Sequence, residues 1–289
     1  MVSNKLNIYQ EPKLVNPRLL LGFSGWMDGG EVSTGTVKYL VEKLGAEKFA
    51  QIEPEGFYIY NFPSSMEISA LFRPYAKIES GIIQSYEGPG NIFFCDPRNN
   101  LILFSGKEPN LAWQEYVDCI ISLCERFNVG EIYFIGSVAG LTPHTREPRI
   151  FCSASQEKLK APLEEHGIRF TSYEGPASIV TCMMVRASQK GLNMVSLVAE
   201  IPAYVQGYNP ICIETAAKCV ASLWGLHIQL DDLRSMADEF EKKLNQLIQQ
   251  QPQLEVKIRK LEEDYDDEVF DTEMGDLKQW LEQQGIRVD

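Results

Sequence analysis

Apolar runs of strand length alternate with segments of helical period over roughly the first 225 residues. RLLLGFSG, starting at Arg18, is a continuous apolar run of the kind buried on both faces of a sheet. Helical spacing follows from about Glu31 to Leu44 and stops at Gly45, a C-terminal capping residue. NIFFCDPRNNLILFSG divides into two strands around an Arg-Asn-Asn turn. PNLAWQEYVDCIISLCERFN places Pro109 at a helix start and Leu111, Tyr116, Ile120 and Leu123 near helical spacing. After it come a strand EIYFIGSV, a helix near Gln156–His166, a strand RFTSY, a helix near Ala177–Lys190, a strand MVSLVAEI and a helix near Ile211–Trp224. The alternation predicts an α/β fold of three layers: a mostly parallel, mixed sheet with helices on both faces. No segment repeats with a period of about 20–50 residues, which excludes a repeat protein.

From Leu233 the pattern changes. Leu233, Ala237, Phe240, Leu244 and Leu247 alternate spacings of four and three, and Leu254, Ile258, Leu261 and Tyr265 resume it after QQQPQ. Pro252 removes a helical hydrogen bond and clashes with the preceding turn, so a helical hairpin is the first expectation and a kinked helix the second. The acidic stretch EEDYDDEVFD is expected to loosen the chain before a short helix near Met274–Gln284. The division is therefore a core domain over 1–229 and an acidic helical extension over 230–289.

Charge narrows the function classes. The chain carries a net charge of −13, of which residues 231–289 supply −9 from 17 acidic and 8 basic residues. Without a basic patch, nucleic acid and anionic membranes are not expected partners. No apolar run reaches the ~18 residues needed to cross a bilayer, and no secretory leader is read in the first twenty residues. Seven cysteines without a CxxC pair fit buried thiols in a reducing compartment, so the expected location is the cytoplasm. Three histidines without paired spacing give no metal site, and no cofactor motif is present.

Candidate chemistry gathers in four loops that follow strands: GFSGWMDGG, SGKEPN, AGLTPHTREP and AEIPAYVQGYNP. If those strands are parallel, the loops share the carboxyl edge of the sheet, where ligand crevices form in open α/β folds. The rim residues are Gly25, Trp26, Asp28, Gly29, Gly30, Glu108, Asn110, His144, Arg146 and Tyr204. GFSGWMDGG is neither GxGxxG nor GxxxxGK, and a tight strand-to-helix turn with Asp28 as a cap explains it better than a phosphate site. Trp26 is either a rim aromatic offered to a partner or a core residue. Ser24, His144 and Asp28 can be drawn as a triad, but residue type alone supports it, and a structural loop histidine is the commoner case. Arg146 and Arg149 can grip a carboxylate or phosphate in two-pronged fashion, or pair with Glu108 or Glu147 to pin their loop. Asn110 reads as a helix cap and Trp113 as a core anchor. Were the chain a small-molecule enzyme or binder using this rim, Asp28, Glu108, His144 and Arg146 would be its working residues.

Taken together and in order, GWMDGG, GKEPNLAW, GLTPHTREP and SLVAEIPAYVQGYNP resemble the proteasome assembly chaperone 2 family over roughly residues 15 to 235. This sequence departs from the family's PHTRP in reading PHTREP, with Glu147 before Pro148. The resemblance implies a core like that of the purine nucleoside phosphorylases, by that analogy a nucleoside- or nucleotide-like molecule as the rim's alternative ligand, a helical C-terminal appendage, and self-association as trimers or larger rings, with a trimer favoured. It also implies a non-enzymatic role in assembling proteasome-like subunits or other proteins. Some relatives dock through a tail ending hydrophobic-Tyr-X; here the last residues are Arg287, Val288 and Asp289. An ATP-grasp carboligase, a label applied to some relatives, needs phosphate-binding lysines and a magnesium cluster that the rim loops do not supply.

Overall fold

In the computed structural model, which describes residues 5–61, 63, 65, 72–205 and 207–283 (backbone alone for 270–283), strand residues divide between two apolar cores. The centre of the sheet is made of β2 (Arg18–Ser24), β7 (Leu101–Lys107), β8 (Glu131–Gly140) and β11 (Asn193–Pro202). Because side chains alternate along a strand, Leu19, Leu21 and Phe23 enter one core and Leu20 the other. Ile102 and Phe104 are likewise opposed to Leu101 and Leu103, and Ile132 and Phe134 to Tyr133 and Ile135. Helices α2 (Trp113–Phe127) and α4 (Ile179–Gln189) cover the first face. Helices α1 (Val32–Leu44) and α5 (Pro210–Trp224) cover the second. Burial on both faces is the reason these strands read as unbroken apolar runs.

The main sheet has nine strands in the order β1-β3-β6-β7-β2-β8-β11-β9-β10, where β1 is Leu6–Ile8, β3 Glu47–Ile52, β6 Ile92–Asp96, β9 Ile150–Ala154 and β10 Arg169–Phe170. The central pairs β7·β2, β2·β8 and β8·β11 are parallel, whereas β6·β7 is an antiparallel hairpin and β9 runs antiparallel to β11. Both edge strands are very short. A separate antiparallel pair, β4 (Tyr75–Glu79) with β5 (Ile82–Glu87), was not foreseen from the sequence. Helix α3 (Lys160–Glu165) follows a single 3-10 turn.

The local signals act where they were read. Gly45 closes α1 in the left-handed conformation, and Asn209, which was not among the signals read, caps α5 by accepting from the Cys212 N–H ahead of Pro210. Two boundaries differ. Helix α2 begins at Trp113, not at Pro109, because the Trp113 indole N–H bonds the Pro109 carbonyl at 2.7 Å and holds that turn outside the helix. The C-terminal extension is the hairpin expected from Pro252, built of α6 (Asp231–Gln249) and α7 (Pro252–Gln283), with proline heading the second helix. The expected loosening at EEDYDDEVFD does not occur: α7 is one continuous helix through the acidic stretch and through the separate short helix expected after it. Its neutralising partners lie elsewhere in the chain and are described below.

Candidate functional site

All four candidate loops leave the carboxyl ends of β2, β7, β8 and β11, which are adjacent and parallel, so they share one rim. The rim is stitched by its own backbone. Past Leu21 and Phe134 the pairing of β2 with β8 ends. Ser33, fully buried in the first turn of α1, fills the gap: its hydroxyl accepts from the Phe23 N–H at 2.9 Å and donates to the Ile135 carbonyl at 2.6 Å. Farther along, the chain returns to β8. The Ser137 N–H bonds the Met27 carbonyl at 2.9 Å, and the Ser137 hydroxyl donates to the Gly29 carbonyl at 2.6 Å. The crevice that parallel strands leave when they part is thus occupied by Met27–Gly29 and by a serine.

GFSGWMDGG is therefore mainly a turn. Gly25 has φ of +147°, and a Cβ there would lie 2.7 Å from Glu108 Cβ, so the position needs glycine on two counts. Gly30 sits at φ of +64° under Asn209, whose N–H bonds its carbonyl at 2.8 Å. Asp28 caps α1 from three residues ahead of the helix's own cap position: its oxygens accept from the Thr34 N–H at 3.0 Å and the Thr34 hydroxyl at 2.7 Å. Burial pushes the Asp28 carboxyl up to about 6, against the lowering pull of the Thr34 bonds. Trp26, whose place was left open, is 72% exposed.

Glu108 pairs with neither arginine. One carboxylate oxygen accepts from the Trp26 N–H at 2.9 Å and the other from the Ile179 N–H, the first residue of α4, at 3.4 Å. Asn110 does not cap α2. Its side chain accepts from the Ile59 N–H at 3.1 Å and its N–H bonds the Phe57 carbonyl, tying the segment before β4 to the rim. Trp113 packs, partly buried, against the α2 core.

His144 is 3% exposed and fully engaged. Its Nδ1 lies 2.8 Å from the Tyr204 hydroxyl, which also accepts from the His144 N–H, and its Nε2 lies 2.9 Å from Asn245 Oδ1 on α6. The acceptor on Asn245 assigns the proton to Nε2 and leaves Nδ1 to accept from tyrosine. No hydrogen bond joins His144 to Ser24 or Asp28 among the described residues, so the drawn triad is not assembled. Arg146 does grip a carboxylate with two prongs, but it is Asp266 of α7, at 2.8 Å for each contact. Arg149 pairs with Glu200 of β11 at 3.0 Å and Glu268 of α7 at 2.8 Å. Both pairings replace the expected ones to Glu108 or Glu147.

Ser33, Ser137, Asn245, Glu200 and Tyr265 were not among the sequence candidates, although each fastens the rim. Their partners are distant in the chain, and a serine in a helix's first turn carries no distinctive signal. Burial pushes the thiol of Cys152 up to about 11 and those of Cys212 and the half-buried Cys219 up to about 12, which disfavours the thiolate at each. No group of three metal-ligating side chains occurs, and no helix is long and apolar enough to cross a membrane, among the described residues. Two cavities lie away from Asp28, Glu108 and His144, and Arg146 lines the second. One, of about 210 Å³, lies between α2 and α4, and the other, of about 550 Å³, lies beneath α7.

What the rim does present is apolar surface. Trp26, Leu111, Val138, Leu141, Tyr204 and Tyr208 are exposed around it, Leu141 by 76%. They come from all four strand exits.

Comparison with solved structures places this architecture among known ones. A protein of unknown function from Corynebacterium glutamicum superposes with a TM-score of 0.80 at 20% identity, over 92% of this chain and 98% of that one. A proteasome-assembly chaperone homologue from Mycobacterium tuberculosis superposes with a TM-score of 0.70 at 24% identity, over 80% and 95%. An archaeal proteasome activator from Pyrococcus furiosus gives 0.62 at 20% identity, over 86% and 99%. These likenesses establish a shared fold. Comparison with curated proteins found no match. The PAC2 family model matches residues 22–248, spanning every rim loop and most of the C-terminal hairpin's first helix, and the chain accordingly belongs to the PAC2 family.

Proposed function

We propose that this protein is a non-enzymatic, self-associating binding module of the assembly-chaperone type, which engages other proteins through the carboxyl rim. The observation that carries the reading is the rim's composition. Six large apolar side chains are exposed there, while Asp28, Glu108, His144 and Arg146 are each committed to bonds that hold loops together. An apolar patch rimmed by polar groups is the surface of a partner site, and aromatic anchors contribute most to such interfaces. Family membership supports the same reading, since two similar structures are described as a proteasome-assembly chaperone homologue and a proteasome activator. The partners are further copies of this chain, with a trimer favoured, and proteasome-like subunits or other proteins of the cytoplasm. The net charge of −13 argues against nucleic acid and anionic membrane.

The test compares two baits in native lysate, the wild type and a Trp26→Ala/Leu141→Ser variant of unchanged melting temperature. Proteins retained by the first and lost by the second are the expected outcome. Identical retained sets, or a wild-type elution volume of a monomer at micromolar concentration, would overturn the rim or the self-association respectively.

A further inference from the structure

Six of the seven residues from Glu262 to Glu268 are carboxylates. Like charges three and four apart destabilise a helix, so this run should fray. It is helical because the PHTREPR loop lies over it. The Arg146 Nε and NH2 groups reach the two oxygens of Asp266 at 2.8 Å each and NH1 stands 4.0 Å from Glu262, to which the Thr145 hydroxyl also donates. Arg149 meets Glu268 at 2.8 Å and lies 4.4 Å above the Tyr265 ring, whose hydroxyl donates to the Glu147 carbonyl at 2.8 Å.

The two ends of the loop are held to the sheet as well as to α7. Arg149 is held from the other side by Glu200 of β11, the Glu200 N–H bonds the Arg149 carbonyl at 2.9 Å, and Thr142 donates to Glu200 at 3.1 Å. The helix itself is not packed flush. Ile258 and Tyr265 are its only buried apolar side chains among the described residues, and the cavity of about 550 Å³ lies beneath it. Arg169 lines that cavity and makes no ion pair among the described residues.

We propose that the PHTREPR loop is a receptor for acidic helices and that α7 is its resident, internal ligand. A partner helix with a tyrosine at i+3 and carboxylates at i, i+4 and i+6 takes the seat by displacing α7. The spacing is that of Glu262, Tyr265, Asp266 and Glu268. Tethering gives α7 an effective concentration in the millimolar range, so a free helix at micromolar concentration competes only once the tethered one is weakened. Screening shortens to about 3 Å at 1 M salt, which loosens the seat.

The experiment uses the full chain carrying Glu262→Lys, Asp266→Lys and Glu268→Lys, which disables the internal ligand and leaves the seat intact. The probe is a fluorescein-labelled peptide of the wild-type sequence 252–283. Hydrogen exchange is expected to show at least about a tenfold loss of protection in α7 with β8 and β11 unchanged. Anisotropy is expected to show the probe binding the variant at least about thirtyfold tighter than the wild type, weakening with salt and lost on adding Arg146→Gln and Arg149→Gln. Should the strands also lose protection, Asp266→Lys alone is read in the same way. Unchanged protection of α7, a released α7 without tighter probe binding, or binding that survives loss of the arginines would each overturn the proposal.

Discussion

The loops around Gly25–Gly30 and Leu141–Pro148 leave parallel strands on one edge of the sheet, yet different forces fasten them. The first is held to the α/β block without an ion pair, by the buried Ser33 hydroxyl, by the half-buried Ser137 and Asp28–Thr34 bonds, and by the Glu108 carboxylate. The second is held largely by side chains of the C-terminal hairpin, Asn245, Glu262 and Asp266, which follow it by about 100 to 120 residues. Buried bonds are insensitive to salt, whereas exposed ion pairs are screened. The first loop should therefore melt with the core and the second before it.

The largest test of that contrast is Ser33→Ala. It strands a buried N–H on Phe23 and a buried carbonyl on Ile135, and should cost about 2–4 kcal/mol in urea unfolding, with equal loss at high and low salt. A loss below about 1 kcal/mol would break the claim that the gap between β2 and β8 is sealed by this hydroxyl. Next comes the pH dependence of Asp28. With the native carboxyl near 6 and an unfolded value of about 3.9, the native chain binds the extra proton between those limits. The contribution of Asp28 is therefore full below about pH 4 and is lost as pH rises through 6. Asp28→Asn removes that loss, so its stability relative to wild type should improve by on the order of 2–3 kcal/mol from pH 4 to 7. A flat difference would place the carboxylate in a wetter setting than its bonds to Thr34 suggest. The smallest effect is expected for Asn245→Ala, about 1 kcal/mol globally. Its sharper readout is amide exchange, which should quicken in residues 141–148 and in α6 while Gly25–Gly30 keeps its protection.

The same contrast explains what could be read in advance. The first loop's turn chemistry is local: glycines at positive φ, Asp28 six residues before Thr34, and an apolar strand leading in. Parallel strands and the helix stop at Gly45 were legible for the same reason. Where partners are remote, local reasoning misled. The acidic run was expected to loosen because its own neighbours repel, and the arginines that neutralise it stand about 120 residues earlier. Asn110 reads as a cap from its place ahead of α2, and nothing nearby reveals that it serves Ile59, 51 residues earlier. His144 is the structural loop histidine the sequence favours, but its partners Tyr204 and Asn245, about 60 and 100 residues away, carry no local signal.

The brevity of β1 and β10 has a consequence for how copies can meet. Three residues at one margin and two at the other offer too few free backbone donors and acceptors to template another chain. Growth by strand addition, the route to fibres, is closed to the main sheet. Contacts made at these two margins therefore run through side chains and not through a backbone ladder.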